Sequence, residues 1–576
     1  MLLRLLFSPL VLLLRLFTWP LHVLRRGRAA EAGALVEVTI AGHVAEGPSR
    51  PRPRWSPQRF LSGLARKRRE PLRLPALRRL IDEVLADPRV AGLLVTLKSL
   101  GDGWASLEAV RSELARVRTG GKRLVVWLPE GAANREIYVA SAASTIVAPP
   151  AADVALTGVK SERHFVRRAL DKVGVSVELH ARKEFKSAGD GAVRDDRSPA
   201  DRLQTEAMVS AIDRALVFAI AEGRGIDEAA ARAIIDAGPT RASTAKARGL
   251  IDLVGYDDDL PALLGARITT AGRYLARRRS GRDRFSYAAM FRRRKVIAIV
   301  QVHGTIASGG NPLARALGPV ATAEQVVADL RAAEKDPRVA GVVLDVDSRG
   351  GTVTASDEIY AAARRLAAKK PLFARMGDVA ASGGYYVAAA GRAIVARPLT
   401  ITGSIGVVAM RPIAARLAEH LGITRDVVSR GKFADADAFL RAPTEEERAL
   451  FDREIDQHYE EFVSLVATSR GRPFSEVEPL ARGRVWTGSD AHEQKLVDHL
   501  GGLDRAVELV RAALPNVALE DEPRVIAARL PSHRLDDAPS APIAALVALA
   551  ELLPIDLRQR AASLVAARGR VLALMP

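Results

Sequence analysis

Apolar and polar positions along the chain fall into two stretches that present the same elements in the same order. Each opens with a segment whose apolar residues recur three and four apart, the spacing of an amphipathic helix (residues 76–85 and 323–333). A short, mainly apolar run follows, the pattern of a buried strand (93–97 and 342–346). Between them stands one hexapeptide, repeated letter for letter as Asp87-Pro88-Arg89-Val90-Ala91-Gly92 and Asp336-Pro337-Arg338-Val339-Ala340-Gly341. Further on, Ile137-Tyr138-Val139-Ala140 answers Tyr385-Tyr386-Val387-Ala388, Leu156-Thr157-Gly158 answers Ile401-Thr402-Gly403, and Gly249-Leu250-Ile251-Asp252 answers Lys495-Leu496-Val497-Asp498. Self-similarity on this scale marks a duplicated unit. Helices alternating with short apolar strands predict an α/β fold with parallel pairing through crossover helices. The expected organisation is two homologous domains, residues 36–265 and 296–515, joined by a basic linker, 266–295. A tail, 516–576, is rich in Pro and Asp at first and has the pattern of an amphipathic helix over residues 543–574.

The N-terminal segment, residues 1–28, has a different pattern. Residues 5–24 are mostly apolar and reach the length a bilayer span needs. The Leu, Phe and Val residues favour insertion by about 6 kcal/mol, and Arg15 opposes it by about 3. Ser8, Pro9, Thr18, Pro20 and His22 bring the sum close to zero. Arg4, Ser8, Arg15, Thr18 and His22 share one stripe of a helix, as in a helix lying in the membrane interface. Anchor, interfacial helix and cleaved signal peptide, the last with Ala30-Glu31-Ala32 as cleavage site, all remain open. The first two attach the chain to a membrane. Arg25, Arg26 and Arg28 follow the apolar run, which by the positive-inside rule favours a cytoplasmic body.

Composition narrows the chemistry. With 48% hydrophobic and 27% charged residues over 576 positions, the chain has material for a substantial core. It has no cysteine, which excludes disulfides, thiolate metal sites and cysteine catalysis. The formal charge of +19 is densest at residues 273–295, with smaller blocks at 25–28 and 66–69. No RNA-binding aromatic signature, zinc-finger spacing or basic-zipper heptad accompanies it, so the charge reads as a membrane-surface or linker feature and no nucleic-acid partner is expected. His492-Glu493 lacks the second histidine of a zinc helix motif, and no metal or cofactor is expected.

The duplication supplies its own control, because what the halves share reports the fold and what they do not share reports the site. Ser382, in the run MGDVAASGGYYVAAAG, matches Asn134; both types cap helices, so this position alone decides nothing. Its neighbours Gly383 and Gly384 face Arg135 and Glu136, and Gly350 and Gly351 face Gly101 and Asp102. The second half therefore keeps an open, glycine-lined floor, which the first fills with charged side chains. Lys186 in ARKEFKSAGD faces Ala434, with Lys183 and Lys432 as nearby alternatives, and Ser404 in TGSIG faces Val159. One half holds the lysine and the other the hydroxyls. A serine hydroxyl needs a base, and a lysine becomes one when burial or a positive field lowers its pKa; arginine cannot take that part. Ser404 could hold the neutral amine, and the N–H groups of Gly351 and Gly383 could form an oxyanion hole. The site is then expected at the junction of the halves. His43 and His303 occupy matching turns and read as fold.

These residues carry a family resemblance. The doubled α/β unit, AASGGYY, TGSIG, SRGGTVTAS and the FKSA lysine followed by RDDRSP resemble the long, tandem-repeat form of signal peptide peptidase A, within the ClpP/crotonase superfamily, over most of residues 36–515. The resemblance implies two ClpP/crotonase-like domains and a membrane-bound serine endopeptidase that degrades remnant signal peptides. It implies a Ser/Lys dyad, matched here by Ser382 and Lys186, and assembly into a homotetramer. It also implies a bacterial inner-membrane location with the catalytic part on the periplasmic side, against the sense of the flanking arginines. Two readings compete. A crotonase-like acyl-CoA enzyme would need a carboxylate base and a nucleotide pocket, and in a non-catalytic membrane scaffold Ser382 would be a helix cap and Lys186 a surface residue.

Overall fold

A computed structural model of the chain describes residues 32–47, 72–282, 294–309, 318–520, 522–528 and 572–574. The expectations for residues 1–28, for 283–293 of the linker and for most of the tail lie outside these residues. Among the described residues no helix is long and apolar enough to cross a membrane.

The chain forms two compact units. The first comprises, among the described residues, 32–47, 72–159 and 213–282. Its centre is a parallel sheet of β1 (Ala34–Gly42), β2 (Val90–Leu100), β3 (Arg123–Trp127) and β4 (Thr145–Ala148), flanked by the short strands Ile268–Thr270 beside β1 and Leu253–Val254 beside β4. The crossover helices α1 (Leu74–Leu85) and α2 (Trp104–Thr119) bury one face each, through Leu77, Leu80, Ile81 and Val84 in α1 and Leu107, Val110, Leu114 and Val117 in α2. Those spacings of three and four put the side chains on one stripe against the sheet. Helix α3 (Asn134–Ala140) follows β3. The first part of the expected linker belongs to this fold. Ile268–Thr270 pairs with β1, and in the helix Ala271–Arg282 the buried Tyr274 donates to Glu83 O at 2.9 Å.

The second unit comprises, among the described residues, 160–212, 294–309, 318–520, 522–528 and 572–574. Here β6 (Val296–His303), β7 (Val339–Ser348) and β9 (Leu372–Ala381) form a parallel core, continued beyond β9 by β10 (Ile401–Gly403) and, antiparallel to that, β12 (Val485–Thr487). Helix α5 (Val353–Ala367) is the crossover between β8 (Gly350–Thr352) and β9; helix α6 (Gly383–Ala388) leaves the end of β9 and is wholly buried. A separate sheet contains β8, β11 (Val407–Ile413), β5 (Ser176–Arg182) and β13 (Leu572–Leu574). Helix α4 (Pro199–Arg224) starts in this unit, and α7 (Glu445–Arg470) packs over β5 and β11. The tail residues 572–574, expected as the end of a helix, are thus a strand: they satisfy their backbone through β8 and β11 rather than through a helical turn.

One consequence of sequence order is overturned. Residues 160–212 come from the first repeat by position, yet they fold into the second unit. The cause is β5, which pairs antiparallel with β11 along its whole length, from Arg182 opposite Val407 to Ser176 opposite Ile413. Partly exposed ion pairs flank the ladder, with Arg448 on α7 reaching Glu178 at 2.6 Å and Arg182 reaching Asp452 at 3.0 Å.

Candidate active site

Ser382 stands at the turn between β9 and α6 with φ 55° and ψ −120°, a conformation that non-glycine residues rarely adopt and that clusters at functional sites. Its N–H donates to Gly403 O at 2.8 Å and its carbonyl accepts from Tyr386 N at 2.9 Å, so the turn is held from both sides. The side chain makes no capping bond to α6. The capping role that the scaffold reading gives it is therefore not taken up: the strained turn swings the hydroxyl away from the helix N–H groups and toward Lys186, whose Nζ lies 2.8 Å from Ser382 Oγ.

Lys186 is almost completely buried, at 1% exposure. Its Nζ also lies 2.9 Å from both the carbonyl and the hydroxyl oxygen of Ser404. Burial pushes the amine well below the ordinary lysine value, because the ammonium has lost its water. The three contacts fit a neutral amine. A carbonyl can only accept, so one N–H goes to Ser404 O; the second can go to Ser404 Oγ, which leaves the lone pair facing the Ser382 hydroxyl. Ser404 itself has φ 51° and follows Gly403 at φ 76°. The expected set Ser382, Lys186 and Ser404 thus converges where the lysine of the first half meets the serines of the second, and it does so within the second unit, because β5 carries the lysine segment there. The alternative lysines are elsewhere: Lys183 faces Glu478 at 3.4 Å and Lys432 faces Glu446 at 2.9 Å, both well exposed.

The glycines are packed rather than open, which corrects the idea of a cleared floor. A Cβ on Gly383 would lie 2.5 Å from Ser356 Oγ and 3.1 Å from Gly351 N; one on Gly384 would lie 2.5 Å from Ser348 O; one on Gly351 would lie 1.8 Å from Ile306 O. Glycine is needed here so that three backbone segments can touch. The effect is to bring the backbones of Gly351 and Gly383 side by side next to Ser382. Residues β8 and β11 also form the walls of an extended-strand slot, in which β13 runs antiparallel with Ala573 opposite Gly351 and Leu572 opposite Val408.

In the first unit the matching positions are closed. Asn134 is the first residue of α3, with Ala133 as the cap, and its side chain donates to Gly158 O at 2.7 Å and accepts from Thr157 N at 3.0 Å. Glu136 accepts from Leu100 N at 2.8 Å and from Ala133 N at 2.9 Å. The histidines bind carboxylates, His43 at 3.2 Å from Asp102 and His303 at 2.9 Å from the buried Asp345. Burial opposes the His303 cation, but Asp345 outweighs it and raises the imidazole above its usual value.

Sequence reasoning missed a second tier behind the lysine. Ser187, Asp201 and Gln204 are nearly fully buried, and Ser187 donates to Asp201 at 2.6 Å. Arg163 and Arg197 reach the other Asp201 oxygen at 3.1 and 2.9 Å. Burial works to raise the Asp201 carboxyl, yet Ser187 and the two guanidiniums hold it below its ordinary value. The signal was present in the RDDRSP run after the lysine, read only as part of a resemblance. Among the described residues no cluster of His, Asp and Glu could hold a metal ion.

Comparison with known proteins assigns the family. The model of peptidase family S49 matches residues 116–266 and again 364–517, and the Clp protease model matches residues 319–400. The serine protease SPPA of Arabidopsis chloroplasts is 30% identical over 530 residues, covering 91% of this chain and 74% of its own. Protease 4 of Salmonella typhi is 30% identical over 485 residues, covering 82% and 77%. A putative signal peptide peptidase SppA from Enterococcus faecium is 33% identical over 192 residues, covering 33% and 55%. The acyl-CoA and scaffold readings lose their ground, for a peptidase model matched in both halves leaves one conclusion: the chain belongs to peptidase family S49 and is a serine protease.

Proposed function

We propose that this serine protease is a membrane-associated endopeptidase in which Ser382 is the nucleophile, Lys186 the general base and Ser404 the group that orients the lysine. The observation that carries the reading is the 2.8 Å contact between Lys186 Nζ and Ser382 Oγ, buried and tied to Ser404. Ser382 Oγ attacks the peptide carbonyl as its proton passes to Nζ. The N–H groups of Gly351 and Gly383 take up the negative charge of the tetrahedral intermediate, an effect of about 3–4 kcal/mol per donor. The Lys186 ammonium then protonates the leaving amine, and the neutral lysine, restored, activates water against the acyl-enzyme.

The substrates in this reading are remnant signal peptides and other short or membrane-embedded peptides. Support comes from the slot between β8 and β11, which accepts an extended strand, and from the name of the Enterococcus relative. Assembly as a homotetramer at a bacterial inner membrane, with the catalytic part periplasmic, completes the proposal. Its test is labelling of the purified, membrane-reconstituted protein with a serine-directed acylating probe, followed by peptide mapping. Modification of Ser382 is expected, and modification of another serine with Ser382 untouched overturns the assignment.

A further inference from the structure

The Lys186 segment is not joined to Ser404 by its own strand. Four consecutive residues preceding and opening β12 lie between them. Arg482 O accepts from Phe185 N at 3.2 Å, Gly483 N donates to Ile405 O at 2.8 Å, Arg484 O accepts from Ser404 N at 2.6 Å, and Val485 N donates to the side chain of Gln204 at 3.1 Å. Gly483 has φ 78°, and a Cβ there would lie 2.6 Å from Lys186 Cβ, so this spacer touches the lysine directly. From the other side Gln204, on the first turns of α4 and 1% exposed, donates to Phe185 O at 3.1 Å and to Ser187 Oγ at 3.2 Å. Its amide thus holds the residues on either side of Lys186 with its nitrogen and the spacer with its oxygen.

We infer that Gln204 is a positioning residue of the protease site, clamping the Lys186 loop to the Arg482–Val485 spacer so that Nζ is held at both Ser382 and Ser404. The inference rests on the Ser/Lys reading above. Its geometric content is that a single neutral amide bridges the lysine loop and the spacer, two segments far apart in sequence. A glutamine suits the place because both of its ends are used: a carbonyl oxygen for Val485 N–H and an amide nitrogen for Phe185 O and Ser187 Oγ. Leaving these buried groups unpaired releases the loop, and displacements on the order of 1 Å at a reacting group cost about 100-fold in rate. The charged groups around the clamp are Asp201, Arg163 and Arg197 on the α4 side, Arg482 and Arg484 on the spacer, and Glu184 on the lysine loop.

The test is the full-length Gln204→Met protein, which keeps the volume and removes every bond, assayed for peptide hydrolysis from acid to alkaline pH. Expected are a kcat about 100-fold lower, a KM within about twofold of the parent, and a rising pH limb displaced to higher pH as water reaches the lysine. Gln204→Glu keeps an oxygen for Val485 N–H but loses the donor to Phe185 O, so its kcat is expected about tenfold below the parent, between the parent and Gln204→Met. It also serves if the methionine protein folds poorly. Parent kcat and an unmoved limb in either folded variant overturn the inference, as does a loss of activity that only tracks the folded fraction with the limb in place. Lys186→Ala in the same assay separates the two levels: full activity there overturns the dyad and the clamp together, while an inactive Lys186→Ala beside a fully active Gln204→Met overturns the clamp alone.

Discussion

Lys186 Nζ meets Ser382 Oγ at 2.8 Å across a separation of 196 residues, and both groups are sealed from solvent. A contact of that range is made by topology: β5 pairs with β11, and the lysine loop follows β5 into the unit that holds the serine. What the site does in water follows from its burial.

If these two groups are nucleophile and base, removing either stops the reaction. Ser382→Ala and Lys186→Ala are each expected to lower kcat/KM for a peptide by about 100- to 10,000-fold or more with folding intact. Lys183→Ala and Lys432→Ala, at exposed ion pairs, should stay within about twofold. Steady-state rates beside circular dichroism check all four, and an active Ser382→Ala protein excludes the mechanism.

The pH dependence has a definite sign. Burial lowers the Lys186 pKa in the folded chain below the ordinary 10.5, so kcat/KM rises with pH through the lowered value. Between the folded and unfolded values the unfolded chain binds more protons, so the lysine's contribution to stability also rises with pH over that window. Lys186→Met removes this dependence. The melting temperature of the parent relative to Lys186→Met is expected to climb from neutral pH toward about pH 10, and a constant difference would contradict a depressed lysine.

Gly483 is the tightest point of the spacer. Gly483→Ala imposes a left-handed backbone on a residue with a Cβ and sets that carbon 2.6 Å from Lys186 Cβ. The expected cost is about 2–5 kcal/mol from strain and overpacking together, with loss of activity. Urea unfolding reads the first and hydrolysis the second.

Asn134 should matter only to structure. Asn134→Ala loses the bonds to Gly158 O and from Thr157 N and is expected to destabilise by about 1 kcal/mol, with kcat unchanged. A large fall in kcat in a stable variant would assign the first unit a part in catalysis.

If an extended substrate pairs with β8 opposite Gly351, as proposed above, strand β13 occupies its backbone positions. Deleting residues 572–576 is therefore expected to lower KM for short peptides with kcat little altered. An unchanged KM would place the substrate on another edge.

Much of this was legible in the chain. The repeated hexapeptide and the matched strand and helix patterns gave the duplicated α/β architecture, since periodicity is a local property of the sequence. The contrast of Ser382 with Asn134 and of Lys186 with Ala434 singled out the residues of the proposed dyad, because side-chain type alone limits which groups can be nucleophile and base. Other features were not local. The residues 160–212 changed units through a strand pairing that no spacing announces, and this placed the whole site in one unit. The glycines proved to be points of backbone contact, which depends on segments distant in sequence. Gln204, an ordinary helix residue by its neighbours, gained its place only when the lysine loop and the spacer folded against it. Pattern and residue type fix what the chain can form and which chemistry it carries. Burial, approach distance and the loss of water that lowers the lysine pKa arise when remote segments pack, and the tertiary structure alone decides them.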